Sequence, residues 1–178
     1  SGESEYQMEK VIEVFSGNNA LEVKKAGSKK EAADLWKARK SAVPVLARIQ
    51  THFMLEDVTV PMGKIAEMLR GIEGIAEKYD LQIATFGHAG DGNLHPQILF
   101  DGCNPEEVAR VELAKADLFK LAIDLNGTLT GEHGIGIAKI PFMSLEHDDV
   151  AMDIMRRVKN AFDPNHILNP GKMALEVN

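Results

Sequence analysis

The stretch FGHAGDGNLHP, residues 86–96, constrains the fold of this chain more than any other feature of the sequence. Two segments that carry apolar residues flank its glycines, at 81–88 and 93–100. A glycine-rich turn between two such segments is typical of a β-hairpin. His88 and His95 stand on either side of the turn, and a turn by itself needs no histidine. The two histidines therefore indicate a role beyond forming the turn.

In the predicted hairpin, His88 faces Asn93 and His95 faces Phe86. Side chains two positions apart share a face of a sheet, so the two histidines are diagonal neighbours, with Cβ atoms roughly 7 Å apart. At that separation both imidazoles can reach one metal ion. Gln97 lies on the same face. The residues alone leave two interpretations open: a metal site, or two histidines that only form hydrogen bonds within the turn.

Composition excludes several classes of protein. The chain has 178 residues, which suits one domain over 1–178, with 44% hydrophobic and 26% charged residues. Its net charge of −7 argues against a nucleic-acid partner. Cys103 is the single cysteine, so a disulfide framework is excluded and a reducing, cytoplasmic location is expected. No apolar run approaches the roughly 20 residues of a membrane helix.

Helices and strands alternate in the predicted secondary structure. Predicted strands are Ala20–Lys25, Phe53–Val60, 81–88 and 93–100. Five helices are predicted. The first ends at Gly17, and the second runs from the Ser28/Glu31 capping box to about Ala42, before Pro44. The third begins after Pro61, the fourth runs from Asn104 to Asn126, and the fifth covers 148–162. This order favours an α+β fold: an antiparallel sheet with helices packed on one face, plus a C-terminal helix and tail.

A second glycine-punctuated turn, GTLTGEHGIGIAK at residues 127–139, contains the adjacent Glu132 and His133. A carboxylate is a common complement to two imidazoles in an open metal site. His133, beside it, is a candidate general base. Alone, the pair is equally typical of a solvated loop. The spacing also fits a zinc hydrolase, although the H-E-x-x-H helix pattern is missing.

Three ordered motifs, GHAGDGNLHP, GTLTGEHGIGIAK and FDPNHILNPGK, together resemble the C-terminal domain of FAD-linked oxidases. This is the vanillyl-alcohol-oxidase-like group that includes D-lactate and D-2-hydroxyglutarate dehydrogenases and the catalytic subunit of glycolate oxidase. The segments LWKARKSAVP and EDVTVP extend the likeness to about residues 30–173. The resemblance implies a ferredoxin-like cap domain.

The resemblance also implies roles for individual residues. By position in the motifs, His88, His95 and Glu132 are expected to bind a divalent metal, zinc or manganese. His133 corresponds to the active-site base, and Arg39 to the arginine that grips the substrate carboxylate.

Other positions implied by the resemblance concern the flavin and the substrate. Asn169 and Lys172 are expected to approach the FAD, and Gln97 to contact substrate. Gln97 stands where hydroxyglutarate-type members have asparagine, and Leu55 stands where they have lysine. Both departures remove contacts to a second carboxylate, so they favour a small monocarboxylate.

The function that follows is the substrate domain of an FAD-dependent 2-hydroxy acid dehydrogenase or oxidase of the D-lactate or glycolate type. The N-terminal FAD-binding domain of the same polypeptide is absent here, so the isolated chain is expected to be inactive. An iron-sulfur or other electron-transfer subunit is a further expected partner, and the full-length enzyme is expected in the cytoplasm or on the inner face of the cell membrane. The alternatives are a metal-dependent hydrolase that uses His88, His95 and Glu132, and a non-catalytic interaction domain.

Overall fold

The computed structural model describes residues 2–175, which form two compact units, one ending at Val45 and one starting at Leu46. The elements, in chain order, are α1 (Gly2–Gly17), α2 (Lys29–Leu46), β1 (His52–Leu55), β2 (Val58–Thr59), α3 (Ile65–Tyr79), β3 (Gln82–His88), β4 (Asn93–Phe100), α4 (Pro105–Asp124), α5 (Met143–Glu146) and α6 (Asp149–Phe162). Single 3₁₀ turns precede α3 at Met62–Lys64 and α5 at Ile140–Phe142. No helix within residues 2–175 is long and apolar enough to cross a membrane. The single domain over 1–178 stays a prediction.

The first unit consists of α1 and nearly all of α2. The predicted capping box begins α2, because the Glu31 N–H donates to Ser28 Oγ at 3.2 Å. The predicted end near Ala42 is wrong, since α2 continues through Pro44 to Leu46. Pro44 has no N–H to donate to the carbonyl of Lys40, so one helical hydrogen bond is missing, and the helix ends two residues later.

The strand predicted at Ala20–Lys25 is also wrong. This segment is irregular, and Leu21 is fully exposed. Its apolar residues alternate with charged ones as in a strand, but alternation gives a strand only where a neighbouring strand supplies hydrogen bonds. The sheet formed by residues 2–175 contains β1 to β4 and not this segment.

The sheet of the second unit has β4 at its centre. β3 pairs antiparallel with one edge of β4, with His88 opposite Asn93 and Phe86 opposite His95. The predicted hairpin and its register are therefore confirmed. β1 and β2 follow one another along the other edge of β4, also antiparallel.

A break at Glu56 and Asp57 divides the predicted strand Phe53–Val60 into β1 and β2, although both have the same register against β4. The Glu56 N–H donates to Pro96 O at 2.9 Å. Pro96 has no N–H to return a bond, so the ladder is interrupted there. The shared register places Asp57 opposite His95, and directly opposed residues lie on the same face.

After α4 the chain returns to the sheet at Thr128, which forms an antiparallel bridge with Thr59. The order strand, helix, two strands, helix, strand is that of a ferredoxin-like fold. The predicted α+β class is confirmed. The bridge also starts the 129–139 loop beside β2, which brings the second motif to the sheet.

Helices α3 and α4 cover one face of the sheet. Asn104 caps α4 as predicted, accepting the N–H groups of Glu106 and Glu107 at 3.1 and 3.4 Å. The main apolar side chains buried between the helices and β4 are Met68, Ile72, Leu94, Ile98, Val111, Leu118 and Phe119. Because side chains alternate along β4, His95 and Gln97 lie on the opposite face.

Candidate metal centre

The hairpin brings the two histidines of the first motif together. The ring centroids of His88 and His95 are 5.3 Å apart, and the rings meet edge to face. His95 is mostly buried, with its side chain 13% exposed, whereas His88 is open to solvent at 44%. One imidazole is therefore fixed by the sheet and the other stands at its rim.

Gly92 explains why the turn between these histidines is rich in glycine. It has a φ of 79°, and a Cβ at this position would lie 1.9 Å from Val60 O. Only glycine tolerates both conditions. The Val60 N–H donates to Gly92 O at 3.1 Å, so the turn packs directly against the end of β2.

The second motif places Glu132 among three imidazoles. Glu132 Oε1 lies 2.9 Å from His95 Nε2, 3.6 Å from His88 Nε2 and 3.9 Å from His133 Nε2. The rings of His95 and His133 stack, with centroids 5.1 Å apart and planes 12° apart. Residues 44 positions apart in the sequence, from His88 to Glu132, thus meet around one carboxylate oxygen.

These donors fit a divalent metal ion. Imidazole nitrogen and carboxylate oxygen are the ligands that zinc and manganese share. The donor atoms of Asp57, His95, Glu132 and His133 all lie within 4.8 Å of one another. That group includes two of the three predicted ligands. The third, His88, contacts the same Glu132 oxygen. The exposed side chains of Glu132 and His133 leave one side of the cluster open to a ligand.

Asp57 is the residue at this centre that the sequence motifs did not single out. Its side chain is fully buried. Oδ2 accepts the Thr130 hydroxyl at 2.5 Å and the N–H groups of Gly131, Glu132 and His133 at 2.8, 3.1 and 3.0 Å. Burial alone would raise the pKa of Asp57, but these four donors outweigh it and lower the pKa to about 2.

The side chain of Lys139 is bonded to the backbone next to Asp57 and to the start of the second motif. Its Nζ donates to Asp57 O at 2.6 Å and to Leu129 O at 2.7 Å, and lies 3.9 Å from the carboxylates of both Glu56 and Asp57. The side chain is 7% exposed. Lys139 therefore ties the β1–β2 break to the start of the second motif.

The remaining predicted site residues lie in three places. Gln97 is 1% exposed, and its Oε1 accepts no hydrogen bond from the described residues. Asn169 and Lys172 are exposed in the tail, which returns to the second motif where the Met173 N–H donates to Gly136 O at 2.9 Å. Arg39 belongs to the first unit, where its guanidinium lies 5.4 Å from the centre of the Trp36 ring. The roles predicted for these residues stay predictions.

The chain is similar in sequence to enzymes that oxidise 2-hydroxy acids by name. The chain is 48% identical over 169 residues to the glycolate oxidase subunit GlcD of Bacillus subtilis (strain 168), covering 95% of this chain and 36% of that protein. It is 33% identical over 169 residues to the mitochondrial D-lactate dehydrogenase [cytochrome] of Arabidopsis thaliana, covering 94% of this chain and 30% of that protein. The chain thus spans about a third of the length of these relatives.

A solved structure has a similar fold. The 4-ethylphenol oxidase from Gulosibacter chungangensis, in its isoeugenol complex, matches with a TM-score of 0.55 and 18% identity over 96% of this chain and 37% of that one. At this identity the likeness concerns the fold alone. The family model for the C-terminal domain of FAD linked oxidases matches residues 1–173. With this match and the identity to GlcD, the chain belongs to the C-terminal domain family of the FAD-linked oxidases.

Proposed function

We propose that this chain is the substrate domain of a flavin-dependent dehydrogenase or oxidase that acts on a small 2-hydroxy acid, of the D-lactate or glycolate type. The observation that carries the proposal is the convergence of three imidazoles on Glu132 Oε1. A 2-hydroxy acid presents a hydroxyl and a carboxylate oxygen on adjacent carbons, which suits an open site of this kind. The two relatives named above, a glycolate oxidase subunit and a D-lactate dehydrogenase, agree with this substrate class.

His88, His95 and Glu132 would hold the metal ion, zinc or manganese. When bound, such an ion lowers the pKa of the substrate hydroxyl and helps to orient the molecule. His95 fixes one edge of the site because it is held in the sheet, and Glu132 is held by the second motif. His88, at the exposed rim, completes the set from the other strand of the hairpin.

His133 is the proposed general base. Its Nε2 faces the cluster at 3.9 Å from Glu132 Oε1, and its side chain is 44% exposed, so a substrate hydroxyl can reach it. We propose that Nε2 accepts the hydroxyl proton. A bound flavin would supply the acceptor for the hydride of the α-carbon. Arg39 would hold the substrate carboxylate through a bidentate pair, and Asn169 and Lys172 would approach the flavin.

Substrate size would be limited by Leu55 and Gln97. The two residues are opposite each other in β1 and β4, on the face that carries His95. Leu55 is 43% exposed and offers an apolar surface with no charge. A second carboxylate would find no cation at this position, which favours monocarboxylates.

The partners and location of the whole enzyme are part of the same proposal. The FAD would be bound mainly by a separate N-terminal domain of the polypeptide, and the electrons would pass to an iron-sulfur or other electron-transfer subunit. The isolated chain would then be inactive. A cytoplasmic enzyme, in peripheral contact with the inner face of the cell membrane, fits such a partner.

The test is a screen of 2-hydroxy acids with the full-length protein and an artificial electron acceptor, with and without a chelator. We expect oxidation of D-lactate or glycolate, weaker oxidation of D-2-hydroxyglutarate, and loss of activity with the chelator that added manganese or zinc restores. Metal-dependent hydrolysis by a protein without flavin would favour the hydrolase alternative. A full-length flavoprotein that oxidises no 2-hydroxy acid would contradict the proposal.

The proposed metal set predicts the effect of Glu132→Gln. The amide keeps the shape of the side chain but loses its charge, so the affinity for Mn²⁺ should fall at least as far as the roughly 10- to 100-fold seen when only an outer partner of a ligand is lost. Isothermal titration of the chain with Mn²⁺ measures this. Glu67→Gln, on the exposed face of α3, is the matched control and should bind like the unchanged chain. Equal affinities in both variants would remove Glu132 from the metal set.

A further inference from the structure

We infer that Asp57 is a positioning residue for the metal centre: it sets the protonated nitrogen of His95 and holds the Thr130–His133 turn in place. The inference rests on the proposed metal site but concerns a residue outside the ligand set. Asp57 performs both tasks with different oxygens of one buried carboxylate.

The position of Asp57 follows from the sheet. The register of β1 and β2 against β4 places it opposite His95 and on the same face. Pro96 interrupts the ladder at the preceding residue, so the backbone around Asp57 is free to turn its side chain inward. The side chain is fully buried as a result.

Oδ2 of this carboxylate is occupied by the turn. It accepts the Thr130 hydroxyl and three consecutive backbone N–H groups, from Gly131 to His133. An oxygen that accepts four donors has no free lone pair for a metal ion. The same bonds fix the backbone from which the side chains of Glu132 and His133 extend.

Oδ1 of the carboxylate is directed at His95. It lies 3.7 Å from His95 Nδ1, and both atoms are buried with no hydrogen-bond partner among the described residues. A small rotation of either side chain closes the bond and satisfies both atoms. Since an ionised carboxylate only accepts, Nδ1 must carry the hydrogen. Nε2 lies 2.9 Å from Glu132 Oε1, so it is the nitrogen left to bind a metal ion beside that carboxylate.

Nitrogen-15 NMR of the metal-free chain tests the protonated nitrogen of His95 directly. His95 should show a protonated Nδ1, with the signal assigned by its absence in His95→Gln. A bare Nδ1 in the unchanged chain would overturn the inference. No metal or substrate is needed, so this result stands even if the proposed function fails.

Asp57→Asn tests the cause. If the amide oxygen takes the place of Oδ2, the amide nitrogen faces His95 Nδ1 and donates to it, which forces the hydrogen onto Nε2. We expect His95 to change to the protonated-Nε2 form and the Mn²⁺ affinity to fall about 10- to 100-fold. Asp117→Asn, in a carboxylate that bonds Lys78 and Tyr79 on the helices, is the matched control and should change neither. An unchanged His95 form in Asp57→Asn would show that Asp57 does not set the protonated nitrogen, and would overturn that part of the inference.

Thr130→Val provides a variant that keeps the carboxylate, in case Asp57→Asn does not fold. It removes one donor to Oδ2 and leaves Oδ1 facing His95. The protonated nitrogen of His95 should stay Nδ1 while the Mn²⁺ affinity falls, because the turn loses one of its four attachments. An unchanged affinity would contradict the role of Asp57 in holding the turn.

Discussion

Replacing His133 by glutamine in the full-length flavoprotein is expected to lower kcat for its 2-hydroxy acid by about 10²- to 10⁴-fold, the usual contribution of a positioned general base. The affinity of the chain for Mn²⁺ should hardly change. The backbone N–H of His133, and not its side chain, is bonded to Asp57, so the turn and Glu132 stay in place. Steady-state kinetics and titration with Mn²⁺ measure the two effects separately.

This pair of measurements separates a base from a ligand. His133 Nε2 is within reach of the other donors, so a ligand role is the competing interpretation. If His133 binds the metal, His133→Gln will weaken Mn²⁺ binding as strongly as Glu132→Gln does. His147→Gln, just after α5, is the matched control and should leave both kcat and affinity unchanged. A normal kcat in His133→Gln would contradict the proposed base.

Lys139→Met is expected to destabilise the second unit by about 3–5 kcal/mol, the usual result of removing one partner of a buried ion pair. Burial lowers the pKa of Lys139 and raises that of Glu56. The attraction between Lys139 and Glu56 opposes both shifts, and the charge of Asp57 also opposes the shift of Lys139. Methionine fills the space but takes away the hydrogen-bond donor of two carbonyl oxygens and the cation that Glu56 and Asp57 share. Urea unfolding should be followed by circular dichroism, because the single tryptophan, Trp36, reports on the first unit.

Two further variants serve as controls for Lys139→Met. Lys120→Met removes an exposed pair with Asp124 and should cost at most about 1 kcal/mol. Adding Glu56→Gln to Lys139→Met should recover part of the lost stability, since one unpaired charge is gone. A loss in Lys139→Met no larger than in Lys120→Met would show that the buried cation contributes little.

The sequence was sufficient to predict the hairpin and the meeting of its histidines. A tight glycine turn fixes the register of the strands beside it, and the register fixes which side chains share a face. For that reason His88 and His95 could be placed as neighbours without coordinates. The cap of α4 at Asn104 is a local signal of the same kind, because all of its hydrogen bonds lie within three residues.

The rest of the centre depends on contacts that no local pattern encodes. Asp57 could have been predicted only from the pairing of the strand Phe53–Val60 with the strand that contains Pro96. In that register Asp57 lies opposite His95. Lys139 had no such signal, because its partners are backbone oxygens from separate parts of the chain. The wrong prediction of a strand at Ala20–Lys25 has the opposite cause. The alternation of apolar and charged residues is a local pattern, but a strand also needs a neighbouring strand to bond with.

The carboxylate of Asp57 also has a consequence for the order of folding. His88 and His95 are joined by one short hairpin, whose closure needs little loss of chain entropy. The donors to Asp57 Oδ2 are 73 to 76 residues further along the chain, beyond α3, the hairpin and α4. Long loops close last, after local structure has formed. A partly folded chain therefore offers a metal ion two imidazoles but no third ligand, and tight binding begins only when the fold is complete.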